Sequence, residues 1–450
     1  MSKSTRYQGA AVTIVVVGTL LLASHAQRLA NPGIQSSAAN AHAPHHPEAY
    51  HIEQASSAAA FIDSVGVQTH INYSDTPYAD WPHVLNKLVG LGVHHIRDAL
   101  PMTPDFVDSY RQLAAHGIRC TCGFAFDESL TAQAIVRAAR SASDVEALEA
   151  PNECDAGTNC GGGDKTGIAN VVAFLPILAN AAHALQVPVI GPSFTRAESY
   201  ASTGPIAQWI SLNNVHVYFG GRYPGTAGWG AGDAQGHRYG SLDWWLDQAN
   251  LNAPGLPTEI TETGYEAFDR PMRPGTIPVD LQATYLLRTL LVAWNHGVRR
   301  TFIYELLDEF PGSGYGLLRH DLTEKPAYIA LQNLLSVLSD SSKPIRPGRL
   351  PLSIECNDSS LTHTLLEKAD GSYDLILWLE RNSDDESLIQ RKDPLPSDNV
   401  SIRVDPKFGV SQMITFRKDG STERQGLSAF PSTLNLSVNG RLTILYIHPR

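Results

Sequence analysis

Five cysteines in 450 residues are too few to staple a fold together, so a disulfide scaffold is excluded. Basic residues are also scarce: 34 Lys and Arg stand against 45 Asp and Glu, a net charge of −11. A nucleic-acid binder would need an electropositive face for phosphates, and this composition does not supply one. Charged residues make up only 18%, too little for a disordered chain, while 43% hydrophobic residues suffice for a sizeable core. No HExxH helix and no Ser/His/Asp order is present, which removes two common hydrolytic centres. What is abundant is Gly (36) and Pro (28), more than a helix bundle would carry. The length favours one large domain with a smaller one beside it.

Lys3 and Arg6 precede an apolar run from Ala10 to Ala23, followed by Ser24-His25-Ala26. A basic start, a short apolar stretch and a small-x-small site predict a signal peptide over 1–26, cleaved after Ala26. The alternative is an uncleaved anchor, but the run is shorter than the roughly 20 residues a spanning helix needs. No cysteine follows it to carry a lipid, and no later segment is read as a membrane span. The expected location is secreted or periplasmic, with no stable membrane insertion after cleavage. Residues 27–58, rich in Ala, His, Pro and Ser, read as a linker. His42, His45, His46 and His51 could be a metal tract, but no second ligand type accompanies them.

From residue 64 onward, short apolar strands alternate with amphipathic helices, the mark of βαβ units. The strands are read at 65–70, 94–97, 119–123, 147–150, 187–191, 215–218, 258–261 and 301–304. Helices are predicted over Trp81–Leu91, Pro104–His116, Ile168–Leu185, Leu242–Asn250, Val279–Trp294 and Pro326–Leu338. Gly92, Gly117 and Gly297 follow three of them, where a left-handed residue ends a helix. Eight strands over about 275 residues predict an α/β fold, a (β/α)8 TIM barrel spanning 59–342. An open doubly wound sheet should carry a Gly-rich phosphate turn after its first strand, and Thr69-His70-Ile71-Asn72-Tyr73 is not one. Beyond Leu338 the pattern becomes strand-like, with a hairpin turn at Asp370-Gly371. Residues 343–450 therefore read as an antiparallel β-sandwich.

In a barrel the C-terminal strand ends face the active site. In order these ends carry His70, Arg97, Asn152-Glu153, His216 with Tyr218, Glu262 and Tyr304-Glu305. Two glutamates on separate strand ends are what glycoside hydrolysis requires, one to protonate the leaving oxygen and one to stay ionised. The segments Glu149-Ala150-Pro151-Asn152-Glu153 and Ile260-Thr261-Glu262-Thr263-Gly264-Tyr265 resemble the Asn-Glu and Thr-Glu-x-Gly signatures of the clan A retaining glycoside hydrolases. The resemblance runs over about 64–340 and includes Arg97, His216-Val217-Tyr218 and Lys325-Pro326-Ala327-Tyr328. It implies that Glu153 is the acid/base, Glu262 the nucleophile, and Asn152 a partner for the sugar 2-hydroxyl. It also implies that Arg97 and Tyr218 keep Glu262 ionised and that His216 sits near the acid/base. Many members end strand eight in Trp, where this chain has Tyr304-Glu305.

Competing readings accompany each residue. Glu259 is a rival nucleophile whose strand parity points it toward the helix shell, and Glu149 reads as a buried partner for an arginine. Glu305 either contacts sugar or caps the barrel, and His70 either lines the pocket floor, the favoured reading, or is a satisfied core histidine. Cys154 and Cys160 are expected to close a disulfide, whereas Cys120 and Cys122 read as buried thiols. Asp155 and Asp164 suggest a solvated loop more than a calcium site. The loop from Phe219 to Gly240, with Tyr223, Trp229 and Tyr239, is long and aromatic enough to meet a sugar ring. The expected partner is a carbohydrate substrate, with no cofactor, no metal and a monomeric state. The rival functions are an inactive glycan-binding barrel and a transglycosylase.

Overall fold

The computed structural model describes residues 50–162, 164–271, 273–340, 346–382 and 395–450. The expected signal peptide, and the linker up to Ala49, lie outside these residues. Eight parallel strands form one sheet: Val65–Gln68, His95–Ala99, Arg119–Gly123, Val145–Glu149, Val189–Ile190, Asn213–Val217, Thr258–Thr263 and Arg300–Ile303. Each but the sixth pairs with its predecessor, and the eighth returns to the first through Thr301–Val65 and Ile303–Val67. The fifth and sixth close the barrel through a single parallel bridge, Ile190 to Leu212. These strands are buried on both faces, so they read as apolar runs without clear alternation.

The helices start and stop where local chemistry dictates. Thr131 and Ser241 accept from Ala134 N and Trp244 N at the starts of Ala132–Ala142 and Leu242–Ala249. Gly92 sits at φ 83° after Trp81–Leu91, a conformation in which a Cβ is strained. Within the helix Asp164–Leu185, the stretch Lys165–Leu185 is long and apolar enough, by length and composition alone, to cross a membrane. Here it lies in the barrel's outer layer and buries Val171, Phe174, Leu175 and Leu178 in the core. Val279–Asn295 is buried nearly all round, because the barrel covers one side and the second domain the other.

That second domain is a sandwich of a four-stranded and a six-stranded sheet. Leu350, Leu352, Val400 and Ile402 of the first meet Leu375, Leu377, Leu445 and Ile447 of the second. The linker expected over 27–58 is corrected at its end: His51–Gln54 pairs antiparallel with Arg349–Cys356, and Ser56–Ser57 pairs parallel with Leu366–Glu367. Those short strands are polar and Ile52 is exposed, so their pattern carries no strand signal until partners some 300 residues away are in place. A continuous apolar layer joins the domains, with Trp378, Ile376, Phe416 and Ile444 packed into the barrel's own core.

Cys154 and Cys160 lie at disulfide distance, with Cα atoms 5.1 Å apart. Cys120 and Cys122 do so as well, which corrects the reading of two separate thiols. Their Cα separation is 5.5 Å, shorter than the ~6.6 Å that two steps of a regular strand cover, and this brings the sulfurs together. Cys356 is the free cysteine. Alkylation of the unreduced, denatured protein should therefore label Cys356 alone; label on peptides carrying Cys154 or Cys160 would contradict the pairing.

Candidate active site

The second strand brings Arg97 into the middle of the barrel, buried among carboxylates. Its Nε and Nη2 donate to the two oxygens of Glu149 at 2.6 and 2.8 Å. Nη1 donates to Glu262 at 2.5 Å and to Gln68 at 2.8 Å, and Nη2 also reaches Asn152 Oδ1 at 2.8 Å. One guanidinium thus ties together strands one, two, four and seven. Glu149 is fully buried and accepts from Asn214 and Thr261 as well, so it is the arginine partner that the sequence suggested.

Glu262 receives the Tyr218 hydroxyl at 3.0 Å on its second oxygen, with His216 Nδ1 3.5 Å away. Burial pushes its carboxyl upward, but the charges of His216 and Arg97, with hydrogen bonds from Arg97 and Tyr218, outweigh burial and hold it below the usual carboxylate range. Glu153 instead faces His216, with Nδ1 2.8 Å from its carboxylate. Burial lowers the His216 imidazole, yet the Glu262 charge and its contact with Glu153 raise it overall. Glu153, His216 and Glu262 each offer a donor atom within 4.8 Å of the others.

Glu153 has φ 43°, an unusual conformation for a residue with a side chain. Ala156 N and Asn159 Nδ2 bind its carbonyl at 2.9 and 3.1 Å and hold the turn. In the loop that follows, Gly157, Thr158, Gly161 and Gly162 are exposed, as expected of a solvated loop. Asp155 is buried and caps the segment beginning at Arg196, accepting from Thr195 N, Arg196 N and Ser199 Oγ.

A second cluster of polar side chains adjoins the glutamate pair, joined to it by Gln68, which contacts both His70 and Arg97. His70 stacks on Tyr73 at 4.7 Å, and its Nδ1 meets Glu309 and lies 3.4 Å from Glu305. Burial opposes charge on His70, but the hydrogen bonds to Glu305 and Glu309 raise it well above an ordinary histidine. Burial raises Glu305 in turn, only partly offset by His70. Glu305 is 2% exposed, and its carboxylate faces His70 within this cluster. Tyr304 packs edge-on against both His70 and Tyr315, and Tyr315 packs against Tyr218, so a row of rings runs from this cluster to the glutamates.

Glu309, Tyr315 and Gln68 were not singled out from sequence. Glu309 and Tyr315 lie beyond the eighth strand's end, where alternation no longer applies; Gln68 lies only two residues before His70 on the strand and was legible by parity. Trp229 is placed differently from expectation. Arg222 lies over its ring at 4.3 Å and Tyr239 packs edge-on, so its ring partners belong to its own loop and none reaches the glutamates.

Glu259 does not face the helix shell. It ion-pairs with Arg299 beside Arg300, whose guanidinium lies 3.1 Å from Glu146 and near His95 at the opposite end of the barrel. The reason is an irregularity: Val215 pairs with Ile260 but His216 with Glu262, which leaves Thr261 as an extra residue. Thr261 and Glu262 both turn inward, and Glu259 shares the face of Thr261.

The fold is a (β/α)8 barrel with an attached β-sandwich, and solved glycoside hydrolase structures share that fold. No protein-family model and no curated protein matches the chain. Solved structures do. A family 39 glycoside hydrolase from Bacteroides cellulosilyticus WH2 is similar at 16% identity and TM-score 0.56, over 87% of this chain and 82% of that one. A monomeric beta-xylosidase from Caulobacter crescentus CB15 is similar at 15% identity and TM-score 0.55, over 88% and 98%. A family 51 alpha-L-arabinofuranosidase from Thermotoga petrophila RKU-1 is similar at 10% identity and TM-score 0.54, over 88% and 99%.

Proposed function

We propose that this protein is a retaining glycoside hydrolase that cleaves β-glycosidic bonds by double displacement. The observation that carries this reading is the unequal environment of two close carboxylates. Glu262, buried against Arg97 and Tyr218, is kept ionised and aimed, as a nucleophile must be. Glu153 has one partner, His216, and sits on a constrained turn, suited to passing a proton to and from the glycosidic oxygen. Their oxygens lie within 4.8 Å, near the ~5–5.5 Å of retaining enzymes and below the ~6.5–9.5 Å that leaves room for an inverting water.

In the first step Glu262 attacks the anomeric carbon as Glu153 protonates the departing oxygen. In the second, Glu153 takes a proton from water, which attacks the same carbon and releases Glu262. Asn152 commits Oδ1 to Arg97, so its amide N–H groups remain for the 2-hydroxyl. His70, Glu305, Glu309 and Tyr304 supply a polar cluster with aromatic edges for the remaining hydroxyls of the same sugar. The Caulobacter beta-xylosidase suggests β-xylosides as the first substrates to try. We also read the chain as exported, a reading supported by two cysteine pairs at disulfide distance.

The test is proton NMR of a hydrolysed aryl β-glycoside panel that includes the xyloside. The first-formed sugar should be the β anomer, mutarotating later; an α anomer at the earliest times would mean inversion and overturn the double displacement.

A further inference from the structure

Beside the apolar layer between sandwich and barrel, one polar side chain collects several hydrogen bonds across the contact: Glu380, which follows the strand Tyr373–Leu379. Arg288, fully buried on the helix Val279–Asn295, donates to it through Nε at 3.0 Å and Nη2 at 2.5 Å. Trp378 Nε1 adds a third hydrogen bond from within the sandwich. The fourth comes from Gly225 N, at 2.9 Å, on the loop that leaves the sixth barrel strand. Gly225 packs so closely that a methyl group there would overlap the side chain of Glu380.

That loop begins at Phe219, immediately after Tyr218, whose hydroxyl holds Glu262. Its first turn is gripped at several points. Tyr265, three residues beyond Glu262, donates to Arg222 O at 2.9 Å and stacks on Phe219. Tyr285 packs against Tyr265 and donates to Asn382 of the sandwich at 3.0 Å. The Arg288 guanidinium lies over the rings of Tyr285 and Tyr223 at 5.1 and 5.7 Å. Loops of this length and glycine content are ordinarily loose. Here the stretch from Phe219 to Gly225 is fastened to the neighbouring domain.

We propose that Glu380 is a positioning residue for catalysis: by anchoring Gly225 it fixes the turn out of strand six and keeps the Tyr218 hydroxyl on Glu262. The sandwich is then a working part of the active site. The inference rests on Glu262 being the nucleophile. Its physical basis is that a small misplacement of an orienting group is costly to the chemical step even when binding is unaffected.

The experiment compares Glu380→Ala, Glu380→Gln and Gly225→Ala in the full chain. Thermal unfolding, steady-state kinetics on the best aryl glycoside and amide exchange over residues 219–231 are measured. Gly225 is exposed and Gly225→Ala removes no buried side chain, while the added methyl should displace the loop from Glu380. Expected for it are about a tenfold fall in kcat with KM little changed, and faster exchange over 219–225. The acid limb of its pH profile should also move upward, because Glu262 loses part of the hydrogen bond that favours its charge. Glu380→Gln keeps an oxygen for Gly225 N and should retain more kcat than Glu380→Ala. Wild-type kcat and acid limb in Gly225→Ala and Glu380→Ala, whatever happens to stability, would make Glu380 purely structural and overturn the proposal. If the wild-type protein cleaves no glycoside, the functional reading falls instead, and exchange over 219–225 still decides whether Glu380 holds the loop.

Discussion

Replacing Glu262 by alanine should lower turnover of aryl β-glycosides by about four orders of magnitude or more, with the protein still folded. The carboxylate is the attacking group in the proposed mechanism, and no neighbour can take its place. Arg97 and Tyr218 are donors, and Glu149 is wholly engaged with Arg97, Asn214 and Thr261. Azide added to Glu262→Ala should yield a glycosyl azide of inverted, α configuration, because the small anion enters the vacated space and attacks directly. Glu153→Ala should behave differently. An activated leaving group needs little protonation, so the glycosyl-enzyme still forms and then stalls for want of a base. Azide should restore turnover there with a β-azide product, and the basic limb of the pH profile should flatten. Near-normal turnover by Glu262→Ala together with a dead Glu259→Ala would reverse the assignment on the seventh strand. The position of Glu259 beside Arg299 and Arg300, at the far end of the barrel, argues against that outcome.

The second large effect is expected from Arg97→Met. The side chain fits a buried site, but it leaves Glu149 and Glu262 without the guanidinium they share. Removing one partner of a buried ion pair typically costs about 3–5 kcal/mol, because the remaining charge stays desolvated. Urea unfolding should show a loss of that order. The pH dependence has a definite sign. Glu262 titrates below the ordinary range in the folded protein, so its stabilising contribution is present above that range and is lost as pH falls through the depressed value. Without Arg97 its carboxyl rises, and the acid limb of activity, which requires the ionised nucleophile, moves to higher pH. Unchanged stability with an unmoved acid limb would show that Arg97 does not act on Glu262 as the geometry indicates.

Much of this site was legible because a parallel barrel converts strand ends into a ring. Arg97 lies midway along its strand, His216 and Glu262 near the C-terminal ends of theirs, and Glu153 and Tyr218 beyond theirs, and the structure brings their polar groups together. What escaped sequence reasoning did so for identifiable reasons. The face of Glu259 was read by alternation, which fails at the extra residue Thr261. Glu309 and Tyr315 come from the irregular chain after Glu305, where no period assigns a direction. Residues 51–57 carry too little pattern to be read as strands before their partners are known. The placement of Trp229 against Arg222 depends on a small hairpin, with Trp229 N and Gly230 N on Tyr239 O, that composition does not disclose.

The sandwich takes its strands from both sides of the barrel, with His51–Gln54 and Ser56–Ser57 preceding it and the rest beginning at Arg349. This arrangement imposes an order of events in time. As the chain is synthesised, the barrel's strands can pair as they appear, each with a neighbour made shortly before. The segment 51–57 has no partner until the region from Arg349 onward exists, and contacts of such long separation form late. Glu380 emerges in that same late stretch. The last strands to be made thus complete the sheets begun at residue 51 and bring in the side chain that fastens the sixth strand's loop. On the proposed role of Glu380, the loop beside Tyr218 is fastened only after the stretch from Arg349 to Glu380 has been made and packed.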